Sequence, residues 1–344
     1  MIKINKDLIF SKNNRPIIIA EISANHCGNK KLFLNLIEKA HVAGADVVKI
    51  QSYEPQDITI NSKTKKFRIK EGIWKGKYLW DIYKKTQTPF RWHRDAFKLA
   101  KKKKIILFST PFSLRAVDLL EKENVKFYKI ASLENDDEML IKKIAKTKKP
   151  IILSTGASKL IDIKKTLKII NKYHNKVIIL HCVTEYPTNS NNANLGRILN
   201  LKKIFKKNLI GISDHTNDID TSLASVPLGI VAVEKHFKLK NTKSLDSKFS
   251  IPPEKLRSLR KKSEIYFKAL SGHDNYKKKN EFINHKRSLF AKEKILKNEK
   301  FSIKNIKSLR PTIGIRSSDV RKILKKKARK VIEKNSPIYL KDIY

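Results

Sequence analysis

The residues most able to do chemistry lie at 209–237, in the stretch LIGISDHTNDIDTSLASVPLGIVAVEKHF. Two short apolar runs are each followed closely by a histidine, His215 and His236, and a helix-compatible segment ending at Gly229 separates them. In a parallel sheet this unit brings both histidines to one end, on strands about 5 Å apart if they are neighbours. Two imidazoles there could share a metal ion, although separately hydrogen-bonded histidines are the commoner outcome for an arbitrary pair.

The rest of the chain must supply the elements that position these histidines. Eight short apolar runs alternate with segments of helical spacing, and continuous runs of this kind are typical of strands covered on both faces. The alternation favours a (β/α)8 TIM barrel over an open doubly wound sheet, and no glycine-rich phosphate fingerprint follows the first run. The eight predicted strands cover residues 17–22, 47–50, 105–108, 127–131, 151–153, 177–180, 209–212 and 230–233.

Catalytic groups in such barrels come from the carboxyl ends of the strands, and all eight predicted ends are polar. Lys49 and Lys129 lie inside apolar strands, where a lysine is costly to bury without a partner. With small hydroxyl groups beside them, these lysines could hold a phosphate and a carboxylate.

A metal site could adjoin this anion site. His215 and His236, with Glu21 or Asp246 near, suit a divalent cation such as Mn²⁺, Zn²⁺ or Mg²⁺. An anion beside a metal indicates carbon–carbon or phosphoryl chemistry on a phosphorylated small molecule, and position alone leaves the reaction open.

The connection between the second and third strands, residues 52–104, is unusually long and rich in aromatic side chains. Long insertions after a barrel strand usually lie over the active-site face, and a packed side layer is the alternative. The aromatic residues are Trp74, Tyr78, Trp80, Tyr83, Phe90 and Trp92.

The formal net charge of +45 would by itself suggest a nucleic-acid partner. Only 13 of the 77 basic residues are arginine, however, and the lysines are scattered over nearly every predicted helix, which is typical of solvated helix faces. We therefore predict no nucleic-acid partner, while the positive field would attract an anionic substrate.

Nothing in the sequence indicates export or a membrane partner. No apolar run approaches the roughly 20 residues of a membrane span, and the N-terminal segment MIKINKDLIFSKNN lacks the apolar core of a signal peptide. Cys27 and Cys182 are too few for a disulfide framework. We expect a cytoplasmic protein.

The pattern changes after residue 270. Residues 1–270 make up the barrel domain, and residues 271–284 form a polar, lysine-rich linker. Residues 285–344 contain short strands, turns and one brief helix, which predicts a separate small β-rich domain.

Segments along nearly the whole chain resemble, in order, the sialic acid synthase family, whose members condense phosphoenolpyruvate with an amino sugar to make nonulosonic acids. The tail resembles the family's antifreeze-like (SAF) domain. The matching segments are IIIAEISANHCG at 17–28, GADVVKIQSY at 44–53, FSTPFS at 108–113, FYKIASLEN at 127–135, ILSTGAS at 152–158, LHCVTEYPT at 180–188, GISDHT at 211–216, VEKHF at 233–237, KRSLFA at 286–291 and SLRPTIGI at 308–315.

Within the family, the segments at 79–93, 245–254 and 308–311 resemble the pseudaminic acid branch, whereas HCVTEYPT at 181–188 resembles the sialic and legionaminic acid branches. The resemblance implies condensation of phosphoenolpyruvate with 2,4-diacetamido-2,4,6-trideoxy-altrose to give pseudaminic acid and phosphate. N-acetylneuraminate or legionaminate synthesis is the alternative. One departure is Lys325, because the family usually has a glycine after the leucine there.

The resemblance also implies roles for individual residues. His215 and His236 would hold a divalent metal ion (Mn²⁺, Mg²⁺ or Co²⁺), Glu21 would transfer a proton, and Arg310 would reach the sugar from the neighbouring subunit of a domain-swapped homodimer. Glu134 and Asp246 would contact the sugar or the metal. The residues implied to bind phosphoenolpyruvate or to lie close to the substrates are Lys49, Gln51, Ser109, Thr110, Lys129, Ser132, Ser154, Thr184, Tyr186 and Ser213.

Two other classes stay open at this point. Another metal-dependent barrel that condenses phosphoenolpyruvate, or an aldolase, could use the same anion site. A basic carbohydrate- or nucleic-acid-binding module would need no catalytic lysines.

Overall fold

The computed structural model describes residues 1–270 and 285–344, so the predicted linker at 271–284 lies outside the described residues. The chain divides into two compact units, Met1–Ser271 and Gly272–Tyr344. The first unit contains a closed barrel and the second a small antiparallel sheet.

An antiparallel hairpin, β1 (Ile2–Lys3) and β2 (Ile9–Phe10), precedes eight parallel strands that close into a barrel. The barrel strands are β3 (Ile17–Glu21), β4 (Val47–Ser52), β5 (Leu107–Pro111), β6 (Tyr128–Ile130), β7 (Ile151–Ser154), β8 (Val177–Cys182), β9 (Leu209–Asp214) and β10 (Ala232–His236). Each strand pairs with its neighbours in the chain, and β10 closes the ring against β3. The predicted (β/α)8 barrel is confirmed.

Helices cover the outside of the barrel. Asn29, Ser113 and Asp137 begin three of them, each accepting a hydrogen bond from the backbone N–H three residues ahead, and such caps stabilise a helix by about 1 kcal/mol. Among the described residues, no helix combines the length and the apolar content needed to cross a membrane. The helices are α1 (Lys30–Val42), α2 (Leu79–Thr86), α3 (Phe90–Lys103), α4 (Leu114–Lys122), α5 (Glu138–Lys146), α6 (Leu160–Ile170), α7 (Gly196–Ile204), α8 (Asp220–Ser225) and α9 (Pro253–Leu270), with α10 (Val320–Ile323) in the second unit.

The amino half of the barrel interior is apolar. The rings of Phe108 and Phe127 stack with 4.2 Å between centroids, and Phe10 of the hairpin meets Phe127 edge-on at 6.2 Å. Leu8 and Phe10 are buried here, so the hairpin closes this end of the barrel. We call the interior residues the apolar layer: Ile17, Ile19, Val47, Phe108, Phe127, Ile152, Ile178, Leu180, Leu209 and Ala232.

All eight strands differ from their predicted bounds by at least one residue, and the largest shifts are those of β5 and β10. β5 and β10 each begin two residues later than predicted and end three residues later. β10 continues through Glu234, Lys235 and His236, which are all buried. An apolar run therefore marks the presence of a strand but not its end, because polar side chains extend a strand wherever the fold supplies partners for them.

The aromatic residues of the long second connection divide between two environments. Trp92 packs edge-on against His26 and tilted against Phe33, in the layer between barrel and helices. Trp74 lies 6.1 Å from Tyr186, which follows β8 at the carboxyl end of the barrel. The expectation of aromatic residues above the carboxyl face is thus met by Trp74 and not by Trp92.

The second unit is a small β-rich domain over residues 285–344. β11 (Ser288–Ala291) pairs antiparallel with β12 (Ile306–Leu309) over a core that includes Phe301 and Ile338. Lys325 has a φ of +70°, the left-handed conformation that favours glycine. The backbone at Lys325 therefore has the conformation of the glycine that the resemblance implies at this position.

Candidate active site at the carboxyl end of the barrel

A buried layer of polar residues lies directly above the apolar layer. Because side chains alternate along a strand, the residue two positions after an interior residue faces the interior again. Each of the eight strands has a polar or sulfur-bearing residue at the interior-facing position above the apolar layer, which on β9 follows Gly211, and all eight are buried. We call them the polar layer: Glu21, Lys49, Thr110, Lys129, Ser154, Cys182, Ser213 and Glu234.

Four charged residues of the polar layer form one ion-paired cluster. Lys49 Nζ lies 2.7 Å from Glu21 Oε2 and 3.1 Å from Glu234 Oε1. Glu234 Oε1 also lies 3.3 Å from Lys129 Nζ, so one carboxylate joins both lysines. The fold thus brings together the two lysines that the sequence places inside separate strands.

Burial and neighbouring charge together set the protonation of this cluster. Burial opposes the charge of Lys49, but Glu21 and Glu234 raise its pKa above the ordinary value. Burial would raise the pKa of Glu234, but Lys129 and Lys49 lower it far below the usual range. For Glu21 and Lys129 burial dominates, which raises the pKa of Glu21 and lowers the pKa of Lys129. An anion bound beside Lys129 would stabilise its charged form.

Small hydroxyl groups surround the lysines. Lys49 Nζ donates to Thr110 Oγ1 at 3.4 Å, and Ser213 Oγ donates to Glu234 Oε1 at 3.1 Å. Ser154 Oγ is buried and has no hydrogen-bond partner in the described parts of the chain. Since an unpaired buried hydroxyl costs about 1–3 kcal/mol, Ser154 is well suited to bind an oxygen atom of a ligand.

Gly156 permits a close approach at the edge of the polar layer. A Cβ atom at this position would lie 2.2 Å from Thr184 Oγ1 and 3.1 Å from Cys182 Sγ. Thr184 Oγ1 in turn lies 3.4 Å from Ser132 Oγ. The absent side chain of Gly156 therefore allows Thr184 to reach Ser132.

The two histidines meet at the rim of the polar layer, with 5.4 Å between the ring centroids of His215 and His236. His215 Nδ1 lies 2.8 Å from the Val183 carbonyl oxygen. Burial lowers the pKa of His215 to about 4 and the pKa of His236 well below its ordinary value. Both imidazoles are therefore neutral near pH 7, and the neutral imidazole is the form that binds metal ions.

The histidine pair fits a divalent cation as two nitrogen donors. His236 Nδ1 is buried and has no hydrogen-bond partner among the described residues. Within residues 1–270 and 285–344, no group of three or more His, Cys, Asp or Glu side chains is arranged to hold a metal. Glu21 and Asp246, expected nearby, therefore do not complete such a group. Further coordination positions would fall to water or substrate.

Ser23 connects three of the predicted site residues. Its Oγ donates to Asp246 Oδ2 at 2.5 Å and accepts from Gln51 Nε2 at 3.1 Å, while its backbone N–H donates to Glu21 Oε1 at 2.9 Å. Burial raises the pKa of Asp246, although hydrogen bonds from Ser23 Oγ and the Ala24 backbone N–H oppose the rise. Ser23 was not among the predicted site residues, and its hydroxyl carries no distinguishing sequence signal.

Tyr186 and Glu134 complete the rim. The Tyr186 ring lies 4.3 Å from the His215 ring and 6.1 Å from Trp74. Burial raises the pKa of Glu134 to about 7, and its Oε2 atom has no hydrogen-bond partner within the described ranges. The rim therefore combines aromatic faces with a carboxyl group close to half-protonation at neutral pH.

Ser109 lies apart from this site, on the opposite face of β5 from Thr110. Its Oγ is 2.6 Å from Ser52 Oγ, which is 2.7 Å from His93 Nε2 of α3. Ser109 Oγ also donates to the Ile50 carbonyl at 3.0 Å. The hydroxyl therefore joins the barrel to a helix, and this geometry does not support the predicted substrate contact.

Glu234 takes a larger part in the site than predicted, and the role of Arg310 stays a prediction. Glu234 was recognised only as a polar strand end, yet it joins both lysines. Its position two residues before His236 could have identified it, because a strand places both on one face. Arg310 is exposed directly after β12 in the second unit.

Known proteins match this chain over most of its length. Residues 36–275 match the model of the NeuB family. A pseudaminic acid synthase from Campylobacter jejuni subsp. jejuni serotype O:23/36 (strain 81-176) is 37% identical over 330 residues, which cover 94% of this chain and 95% of that protein. An N,N'-diacetyllegionaminic acid synthase from C. jejuni serotype O:2 is 38% identical over 325 residues, covering 92% and 96%.

A solved structure leads to the same family. The N-acetylneuraminic acid synthetase of Leptospira borgpetersenii serovar Hardjo-bovis superposes with a TM-score of 0.69 at 29% identity, over 78% of this chain and 90% of that chain. The family model covers more than half of the present chain, and both Campylobacter relatives align over nearly their whole length. The chain therefore belongs to the NeuB family.

Proposed function

We propose that this protein is a pseudaminic acid synthase, which condenses phosphoenolpyruvate with 2,4-diacetamido-2,4,6-trideoxy-altrose to give pseudaminic acid and phosphate. The observation that carries the proposal is the polar layer, in which two buried lysines lie below a pair of neutral histidines. Full-length similarity to pseudaminic acid synthases supports the choice of substrates.

In the proposed reaction, C3 of phosphoenolpyruvate attacks the aldehyde carbon of the open-chain sugar. Water then adds to the cation at C2, and phosphate leaves with cleavage of its C–O bond. Lys129 and Lys49 would hold the phosphate and carboxylate of phosphoenolpyruvate, since charge-assisted hydrogen bonds to such anions are short and strong. The hydroxyl groups that would support them are those of Thr110, Ser132, Ser154, Thr184 and Ser213.

His215 and His236 would hold a divalent cation, Mn²⁺, Mg²⁺ or Co²⁺. When bound, such an ion supplies Lewis-acid polarisation of a carbonyl oxygen. The protein contributes by keeping both imidazoles neutral through burial and by engaging His215 Nδ1 with the Val183 carbonyl.

Glu21 is the group best placed to move a proton. Burial raises its pKa, so it can exchange a proton nearer to neutral pH than an exposed glutamate does. Gln51 and Asp246, which Ser23 connects to Glu21, would bind sugar hydroxyl groups, together with Tyr186 and Glu134 at the rim.

The second unit would act as an antifreeze-like domain in a domain-swapped homodimer, where Arg310 contacts the sugar in the other subunit's barrel. Coexpression of Lys129→Met and Arg310→Ala chains tests this arrangement. Mixed dimers would contain one complete site and restore about a quarter of the activity, given random assembly. If Arg310 served its own barrel, coexpression would restore nothing.

The relative that makes N,N'-diacetyllegionaminic acid favours that synthase as the second candidate. The test is phosphate release with phosphoenolpyruvate and a panel of 2,4-diacetamido-trideoxyhexoses and N-acetylmannosamine, with and without a chelator. We expect phosphate release with the altro sugar and no release when a chelator is present. His215→Ala should also abolish phosphate release, whereas the control His41→Ala, at an exposed position of α1, should not. Preference for another sugar would reassign the product, and the absence of phosphate release with every sugar would overturn the proposal.

A further inference from the structure

We propose that Asp214 and Lys235 are positioning residues, which hold the two histidine-bearing strand ends at a fixed separation from behind. The inference rests on the proposed function, in which His215 and His236 share one cation. It concerns a second ion-paired group, separate from the lysines and glutamates of the polar layer.

The strand register places this pair directly behind the histidines. β9 and β10 are neighbours, and Lys235 is aligned with Asp214. Because side chains alternate, Asp214 and Lys235 point away from the barrel interior when Ser213 and Glu234 point into it. His236 follows Lys235 and His215 follows Asp214, so each member of the pair is bonded to the backbone of one histidine.

The contacts of the pair hold the peptide that follows His215. Lys235 Nζ lies 2.9 Å from Asp214 Oδ2 and donates to the Thr216 carbonyl oxygen at 2.6 Å and to Thr216 Oγ1 at 3.1 Å. Asp214 Oδ1 accepts from the Thr216 backbone N–H at 2.8 Å, and Asp214 Oδ2 accepts from Ser222 Oγ at 2.5 Å. Thr216 is thus held at both its N–H and its C=O, one residue beyond His215.

Because the Asp214–Lys235 pair is buried, we infer that it orients the strand ends more than it stabilises the fold. Lys235 has no exposed surface and Asp214 is 3% exposed. A buried ion pair contributes little net stability, because the desolvation of both charges offsets their attraction, and apolar residues of similar volume often do as well. Hydrogen bonds and ion pairs are directional, so this network fixes the backbone just after His215 more strictly than apolar contacts of similar volume would.

The opposite end of the barrel offers a matched comparison. Arg15 contacts Asp46 through two hydrogen bonds of 2.7 and 2.6 Å, and Asp46 accepts from the Ile18 backbone N–H at 2.8 Å. This ion pair also joins the backbones of neighbouring segments, but it lies far from the histidines along the strands and is partly exposed. Its loss should lower stability without changing the separation of the imidazoles.

The test compares Asp214→Asn/Lys235→Met with Arg15→Met by measuring Mn²⁺ affinity from the electron paramagnetic resonance signal of free Mn²⁺, without substrates. The double variant removes both charges, so no unpaired charge stays buried. Loss of a group that orients a metal ligand typically weakens metal binding about 10–100-fold, which we expect for the double variant. Arg15→Met should bind as the unchanged protein does, even if both variants melt at lower temperature.

Ser222→Ala keeps the ion pair and removes one hydroxyl, so it tests the inference if the double variant does not fold. We expect Mn²⁺ binding about 2–5-fold weaker in this variant, since Asp214 keeps its other partners. Unchanged Mn²⁺ affinity in a folded variant overturns the positioning role. Mn²⁺ binding by the unchanged protein that survives His215→Ala would instead overturn the proposed metal site, and the inference with it.

Discussion

The apolar and polar layers of the barrel differ although the same eight strands build both. Phe127, directly before β6, lies in the lower layer and Lys129 of β6 lies in the upper one, and on β3 the corresponding residues are Ile19 and Glu21. The hairpin residues Leu8 and Phe10 close the lower layer, whereas the upper layer opens towards the connections that follow the strands. The residues that stabilise the barrel and the residues that can take part in chemistry are thus only two positions apart along a strand.

The comparison also indicates what each layer contributes to stability. Each buried aromatic side chain of the apolar layer contributes about 2–3 kcal/mol through its removal from water. The charged cluster above it contributes little net free energy, because its ion pairs mainly offset the cost of burying four charges. Substitutions in the lower layer should therefore change stability, and those in the upper layer should change activity.

The largest expected effect is that of Lys129→Met in the polar layer. Methionine keeps the bulk and removes the charge, so we expect kcat/KM for phosphoenolpyruvate to fall about 1,000-fold. Glu234 keeps Lys49 as a partner, so the free energy of unfolding should change by less than about 2 kcal/mol. Phosphate-release kinetics measure kcat/KM, and thermal melting measures the change in stability. Lys126→Met, at an exposed position, is the control. An unchanged dependence on phosphoenolpyruvate would mean that the anion binds elsewhere.

Phe127→Ala tests the lower layer, two residues before Lys129. It removes a buried ring that stacks on Phe108, and we expect the free energy of unfolding to fall by about 3–5 kcal/mol. Activity per folded molecule, assayed well below the melting temperature, should stay within about twofold of the unchanged protein. A large loss of activity in a folded Phe127→Ala protein would contradict the conclusion that the lower layer affects stability alone.

Gly156→Ala probes the upper rim by steric means alone. The new Cβ would lie 2.2 Å from Thr184 Oγ1, so Thr184 must move away from Ser132. We expect kcat/KM to fall about tenfold with a modest loss of stability. Gly196→Ala is the matched control, because a Cβ there meets nothing within 4 Å. Equal kcat/KM values for Gly156→Ala and Gly196→Ala would show that catalysis does not depend on the position of Thr184.

Glu134→Gln tests the cost of burying a carboxyl group at the rim. Burial raises the pKa of Glu134 from 4.5 to about 7, so the folded protein releases this proton at higher pH than the unfolded chain does. The resulting loss of stability begins near pH 4.5, grows until about pH 7 and then stays constant. We expect the variant to be more stable than the unchanged protein by about 3 kcal/mol at pH 8, with little difference near pH 4.5.

Denaturant unfolding at several pH values measures that difference. Glu138→Gln on the exposed face of α5 is the control for the loss of one carboxyl group. A constant difference between Glu134→Gln and the unchanged protein from pH 4.5 to pH 8 would contradict the raised pKa.

The smallest expected effect lies outside both layers, in the second unit. Lys325 adopts a left-handed conformation that costs a non-glycine residue about 1–2 kcal/mol, part of which the greater chain entropy of unfolded glycine offsets. Lys325→Gly should therefore stabilise this unit by about 0.5 kcal/mol in denaturant unfolding. The control Lys326→Gly should destabilise the second unit. If Lys325→Gly and Lys326→Gly both stabilised it, the removal of positive charge would be the cause.

Much of the architecture could be predicted from local pattern. The eight apolar runs identified all eight barrel strands, because a strand covered on both faces must be apolar throughout. The carboxyl ends of those strands identified Lys49, Lys129 and the two histidines as neighbours, because parallel strands bring these ends together. Ser109 was misplaced because the sequence does not reveal which of two adjacent hydroxyl groups faces the interior.

The sequence alone predicted the eight strands and the polar groups at their carboxyl ends, since these depend on the spacing of residue types along each strand. Three relations could be seen only in the folded chain: Glu234 joins both lysines, Ser109 faces a helix, and Asp214 and Lys235 lie behind the histidines. Those relations depend on how strands distant in sequence are aligned. That alignment follows from closure of the whole barrel, to which every strand contributes at once.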